Sequence, residues 1–219
     1  MLIVLINQFK SMSKKSKKVV TDDINTPNLE IKQNCITFWR PSDPNNYLGQ
    51  WYKADFEITN DICENFPNEI KTLSLYMERY DVLQKLANDQ TQFNTAEKFM
   101  MMAKAALFLD NVAFNRMADS ENPAEHKQLG RTVKRFNENV WDKYNCDIVK
   151  IGNYLKFTQN NDLKIKLLST KGYTLVEGSP LDKVWGIGLK FDDPKCQDKS
   201  NWKGKNYLGE CLMLVRNII

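Results

Sequence analysis

Eleven residues, FMMMAKAALFL from Phe99 to Leu109, contain a single polar side chain, Lys104. A helix that is apolar on every face is usually buried at the centre of a domain, so this run predicts a core helix that keeps the Lys104 amine away from bulk water. Asn94, followed three residues later by Glu97, has the form of a capping box and sets the expected helix start. Glu97 and Lys104 are seven residues apart. At 100° per residue they differ by about 20° around the axis and by about 10.5 Å along it, so both heads can reach one cavity. A carboxylate and an amine on either side of a sugar carbon suit general acid–base work combined with amine attack. The spacing alone equally allows Glu97 to be a helix cap and Lys104 to snorkel to the surface.

Around this helix the chain reads as mainly α with a few short strands, an α+β domain. Seven prolines and nine glycines in 219 residues are few for a β-rich protein, and Met and Leu recur at helical spacings. Strand character is expected at 35–39, 54–58 and 173–177, with a long loop, RPSDPNNYLGQWY, between the first two. Pro67 opens a segment in which Ile70, Leu73, Tyr76, Met77, Tyr80, Leu83 and Leu86 repeat at three or four residues, which predicts one amphipathic helix. Further helices are expected at 111–119, 123–130, 137–157, 161–169 and from near Leu208 to the end. Residues 31–219 are read as one domain without internal repeats.

The formal net charge of +4 comes from the start of the chain, where Lys10, Lys14, Lys15, Lys17 and Lys18 occur among twenty residues that include no acid. Residues 1–30 therefore read as a disordered lysine-rich leader, and the folded body is not a nucleic-acid binder on charge alone. Translation starting at Met1 or at Met12 fits equally well. The five cysteines are scattered without a C-x-x-C pair and there is one histidine, so neither a zinc site nor a disulfide framework is expected. His126, between Glu125 and Lys127, reads as a surface residue. No apolar run approaches the roughly 20 residues a membrane span needs, and a soluble, cytoplasmic protein without metal or cofactor is expected.

The segment LVEGSPLDKVWGIG, 175–188, concentrates two carboxylates, an indole and a Gly-x-Gly pair in one loop. A lone Gly-x-Gly is a weak signal, and a loop tryptophan is more often core. Lys203, Gly204, Lys205 and Asn206 precede the last helix, where free N–H groups and the helix dipole favour an anion. Arg131 is either a phosphate clamp or a surface arginine, and Trp141 reads as core from its position on an amphipathic helix.

Taken in order, NTAEKFMMMAKA (94–105), LGR (129–131), the Trp141 segment, KFTQNNDLKIKLLST (156–170), LVEGSPLDKVWGIG and WKGKNYLGECLMLVR (202–216) resemble the YbiA-like family, also called the NADAR domain. LGQWY (48–52) is a weaker echo, with Gly49-Gln50 where the family tends to have Ser-Asn. A helical insertion at about 60–93 is a second departure. The resemblance implies a compact YbiA-like helical fold and an N-glycosidase that cleaves the bond between ribose C1′ and an exocyclic amine. Implied substrates are ribosylaminopyrimidine phosphates of riboflavin synthesis or ADP-ribosylated guanine, the latter either free or carried on nucleic acid.

Lys104 and Glu97 match the family's lysine and glutamate, which implies a lysine imine intermediate. Desolvation lowers a lysine pKa from about 10.4, as amine attack requires. An ionised Glu97 nearby would oppose this, so the pair is consistent only if Glu97 moves protons or is itself partly protonated. The resemblance also implies that Trp185 stacks on the base or walls the pocket, and that Asp182 or Glu177 holds ribose hydroxyls or moves a proton. Gly186 and Gly188 would admit a phosphate that Asn206 helps to bind, and Trp51, Arg131, Trp141 and Gly209 would complete the substrate site. A non-catalytic sensor of NAD or ADP-ribose, or an interaction module working through the leader and the inserted helix, remain as alternatives. The released base and the oligomeric state are open.

Overall fold

The computed structural model describes residues 34–89 and 92–219, so the expected leader lies outside the described residues. The apolar run forms helix α5 (Ala96–Leu107), in which every residue except Lys104 is buried. Thr95, rather than Asn94, caps it: the Thr95 hydroxyl accepts from Lys98 N. Asn94 instead donates from Nδ2 to the carbonyl and carboxylate of Glu121 at 2.9 and 3.0 Å, fastening the turn after the next helix. The capping box expected from Asn94 and Glu97 is therefore not formed. The Glu97 amide that such a box would have satisfied is met instead by the Gln50 carbonyl at 3.0 Å.

Helices pack around α5 on several sides: α6 (Asn111–Ala118), α7 (Pro123–Arg131), α8 (Glu138–Gln159) and α4 (Tyr80–Asn88). Gly152 of α8 lies against the Phe99 ring, and a Cβ there would come within 2.6 Å of it, which fixes how closely α5 and α8 approach. α9 (Asn161–Ser169) follows α8. The last helix, α10 (Tyr207–Ile218), packs on α8 and on strand β4 (Thr174–Glu177), which pairs in parallel with β1 (Cys35–Phe38), Cys35 opposite Thr174. A second antiparallel pair, β2 (Phe56–Glu57) with β3 (Gln92–Phe93), closes off the segment between them. β3 has only two residues and gave no period in the sequence.

The single amphipathic helix expected from Pro67 is instead a chain of short ones, α2 (Asn68–Lys71), α3 (Ser74–Glu78) and α4, preceded by α1 (Asn60–Glu64). The backbone leaves the helical region at Leu73 and Arg79, and the Asp147 carboxylate of α8 accepts from Leu75 N at 3.2 Å, anchoring the start of α3. The rotation this introduces buries Leu75, off the expected stripe, and leaves Met77, on it, 71% exposed. His126 is also not on the surface. It is fully buried on α7, where Nε2–H donates to the Ser120 carbonyl at 2.9 Å and burial pushes its pKa down. A helix starting at Pro123 and packed on α5 turns this polar-looking segment inward. Among the described residues, no helix is long and apolar enough to cross a membrane.

Candidate active site

A cavity of about 710 Å³ lies where α5, α7, α8 and two loops converge. Two helical stripes form its walls. α5 contributes Glu97, Met100, Met101 and Lys104, and α8 contributes Glu138, Trp141, Asp142 and Asn145, each set spaced i, i+3, i+4, i+7 as one helix face requires. Glu97 and Lys104 thus do face one hollow. They do not pair: Lys104 Nζ turns to a backbone carbonyl of α7 instead.

Lys104 occupies the aromatic end. Nζ donates to the Gly130 carbonyl at 2.8 Å and lies 4.3 Å from the Phe136 ring centre and 4.9 Å from that of Trp141. Gly130 also lets α7 lie close to α5, since a Cβ there would stand 2.0 Å from Met101 Sδ and the methionine would have to move. The rings and the carbonyl favour the ammonium form. Burial opposes them and prevails, so the amine sits below the usual lysine range.

The acidic end gathers Glu97, Glu177 and Asp182 around Lys127, with Arg131 nearby. Burial, above all, raises Glu97 to about 7; the nearby Lys127, Trp51 and Arg131 pull it down, while Asp182 pushes it up. Burial again, then Asp182, raises Glu177 to about 8, and its Oε2 has no hydrogen-bond partner. Both carboxyls therefore hold a proton for much of the time near neutrality. Asp182 shapes the loop as well as lining the cavity: its Oδ1 accepts from Val184 N at 2.9 Å and Trp185 N at 2.8 Å.

A stability effect follows from the sign of the Glu177 shift. A carboxyl whose folded pKa lies above its unfolded value contributes a growing cost as pH rises from about 4.5, saturating above the folded value of about 8. Glu177→Gln is thus expected to raise Tm at pH 8 while leaving it unchanged near pH 4. Urea denaturation at the two pH values measures the difference, expected to be on the order of a few kcal/mol.

Of the remaining expected site residues, Trp51, Arg131, Trp141 and Trp185 line the cavity. Trp141, read as core from its periodicity, is only partly buried because its ring roofs the Lys104 amine. Gly186, Gly188, Asn206 and Gly209 are not brought to the cavity, and their packing explains why. Asn206, fully buried in the left-handed region at φ 57°, donates from Nδ2 to the Leu175 carbonyl at 2.9 Å and accepts at Oδ1 from Glu177 N at 3.0 Å. Its amide thereby acts as a partner for the free edge of β4. The start of α10 is no anion site either: Lys205, Asn206, Tyr207 and Leu208 all donate their amides to carbonyls of residues 183–186.

Gly188 has φ 69° and lies against Lys203, and Gly186 is packed between Glu177 and Asp182. A Cβ at Gly209 would come within 2.1 Å of the Leu175 carbonyl. Gly209→Ala is accordingly expected to destabilise the fold by about 1–3 kcal/mol, read as a lower urea midpoint, rather than to weaken substrate binding by a folded protein.

Sequence reasoning missed Lys127, Arg40, Trp39 and Phe136 as lining residues. Lys127 was within reach of it, four residues before Arg131 on the same face of α7. Trp39 and Arg40 come from a loop, where no period marks which side chains point inward.

The NADAR domain model matches residues 37–219. The chain belongs to the NADAR family. N-glycosidase R617 of Acanthamoeba polyphaga mimivirus is 45% identical over 125 residues, 57% of this chain and 74% of that protein. Protein irg-1 of Caenorhabditis elegans is 35% identical over 168 residues, 76% of each. The NMR structure of YbiA from E. coli shares the fold at a TM-score of 0.58, covering 85% of both chains at 20% identity.

Proposed function

We propose that this NADAR domain is an N-glycosidase that hydrolyses the bond between ribose C1′ and an exocyclic amine of a phosphorylated or ADP-ribosylated base. The observation that carries the reading is a desolvated amine, Lys104, facing the same cavity as two buried carboxyls whose pKa values burial raises toward or above neutrality. A glycosylamine opens to an imine at C1′. Neutral Lys104 adds its lone pair to C1′, the bond from C1′ to the base nitrogen breaks, and the electron pair leaves with the base. Glu97 supplies the proton that the departing amine requires. Water then adds to the lysine imine, and collapse of that adduct frees the sugar aldehyde and restores the amine.

Arg40, Lys127 and Arg131 line the cavity and give phosphate or diphosphate oxygens their partners, a role that the start of α10 does not offer. The partner is accordingly a phosphorylated N-riboside or an ADP-ribosylated base, the latter free or on nucleic acid. The test is release of free base from ADP-ribosylated guanosine and, separately, from a ribosylaminopyrimidine phosphate, followed by chromatography. Turnover of either supports the reading; tight binding of ADP-ribose with no turnover of either supports the sensor instead. The Gly130 carbonyl and the two rings, which favour the ammonium form against the effect of burial, are the feature that a non-catalytic sensor would share.

A further inference from the structure

A second lysine, Lys156 of α8, is completely buried and is not among the residues lining the cavity. Its Nζ donates to the carbonyls of Tyr47 at 2.8 Å and Gly49 at 3.0 Å, beneath the rings of Tyr52 and Phe157 at 5.4 and 5.0 Å. Burial pushes its amine down to about 7, and no carboxylate among the described residues offsets that penalty. A hydrocarbon side chain of the same length would fill the space without desolvating an amine. The retention of the amine therefore calls for a role other than packing.

What the amine holds is the loop that meets the acidic end of the cavity. Just beyond the second anchored carbonyl lie Gln50 and Trp51, which face the first turn of α5. The Gln50 carbonyl accepts from Glu97 N at 3.0 Å, and Trp51 lines the cavity beside the Glu97 carboxyl. One turn before Lys156 on α8, Asn153 Nδ2 donates to Gln50 Oε1 at 2.9 Å. Gly49, Gln50, Trp51 and Tyr52 all line the cavity. The loop is thus tied to α8 on one side and to the first turn of α5 on the other, with Lys156 as the charged donor to its backbone carbonyls.

We propose that Lys156 is the positioning residue of this site: by fixing the carbonyls of Tyr47 and Gly49 it sets Gln50 and Trp51 against Glu97 and keeps the cavity wall in place. The inference rests on the cavity being the site of N-glycosyl hydrolysis, and it adds a residue that touches neither substrate nor reacting atoms. Losing the amine leaves two buried carbonyls without a donor, and the loop is released rather than the core.

The test uses the full chain with Lys156→Met, which keeps the volume, and Lys156→Gln, which keeps an amide donor. Three quantities are read: Tm, hydrogen exchange of residues 46–53 against that of α5 and α8, and turnover of the two ribosylated probes. In the methionine variant Tm is expected to hold within a few degrees while exchange in 46–53 rises at least tenfold. KM is expected to rise at least tenfold, more than kcat falls, with partial recovery in the glutamine variant. Unchanged exchange in 46–53 would overturn the proposal, as would exchange rising equally across α5 and α8 with a lower Tm. Failure of both variants to fold would overturn it too, because the lysine would then be a core residue only. If the unsubstituted chain turns over neither probe, the proposed substrates fail, and the exchange result still decides the role of Lys156.

Discussion

Replacing Lys104 with alanine is expected to lower kcat for base release by at least about 10³-fold while leaving Tm within a few degrees, because the proposed mechanism makes this amine the nucleophile and its side chain is only partly buried. The bulk of α5 stays packed: Phe99, Met102, Ala103 and Ala105 are fully buried independently of it. A smaller residue leaves the Gly130 carbonyl facing the cavity, where water replaces the lost donor. The variant separates two accounts of the aromatic end. A nucleophile cannot be removed without losing the reaction, whereas an amine that only binds a substrate group can be lost with a rise in KM and kcat preserved.

Glu97→Gln carries the second large effect. Removing a positioned general acid lowers kcat by about 10²–10⁴-fold. It also changes the pH profile. Glu97 titrates at about 7, so wild-type activity is expected to fall as pH rises through that value and the acid loses its proton. The glutamine variant has no such limb. Its stability moves the opposite way to its activity: the raised pKa makes the wild-type group increasingly unfavourable from about pH 4.5 to beyond 7, and the variant escapes that cost. Higher Tm at pH 8 together with lower kcat identifies a residue kept for chemistry. Lower Tm and lower kcat together would make Glu97 a fold residue. Its amide bond to Gln50 survives the substitution, so the loop remains in place.

The sequence made the centre of the molecule legible and its edges less so. An apolar run interrupted by one lysine has few ways to fold, and Glu97 and Lys104 meet one hollow because a seven-residue interval is nearly two full turns. The same interval did not reveal that the heads stand apart, each with its own neighbours. Those neighbours come from α7 and from the loops at 39–52 and 177–185, and their arrival is a matter of tertiary packing. The segment before α10 misled for a related reason. Two lysines and a glycine at a helix start look like an anion cradle, but carbonyls of residues 183–186 already occupy the amides. A long-range partner of this sort leaves no local mark. Met77 and His126 failed differently: a helix break rotated one stripe outward, and a buried turn drew a polar stretch inward.

Lys156 shows the same limit from the other direction. Its sequence context, LKFTQ, gives no sign that the amine lies beyond the reach of water. Only the loop folding back across α8, more than a hundred residues away in the chain, gives it the two carbonyls of Tyr47 and Gly49.

The central claim is that Lys104 becomes covalently attached to the sugar during turnover. Borohydride reduction of the chain during turnover of ADP-ribosylated guanosine, and separately of a ribosylaminopyrimidine phosphate, followed by peptide mass spectrometry, tests it most directly. The account predicts a reduced sugar adduct on the peptide containing Lys104, absent without substrate and absent in Lys104→Ala. Turnover that continues undiminished in Lys104→Ala, or an adduct confined to another lysine, would contradict it.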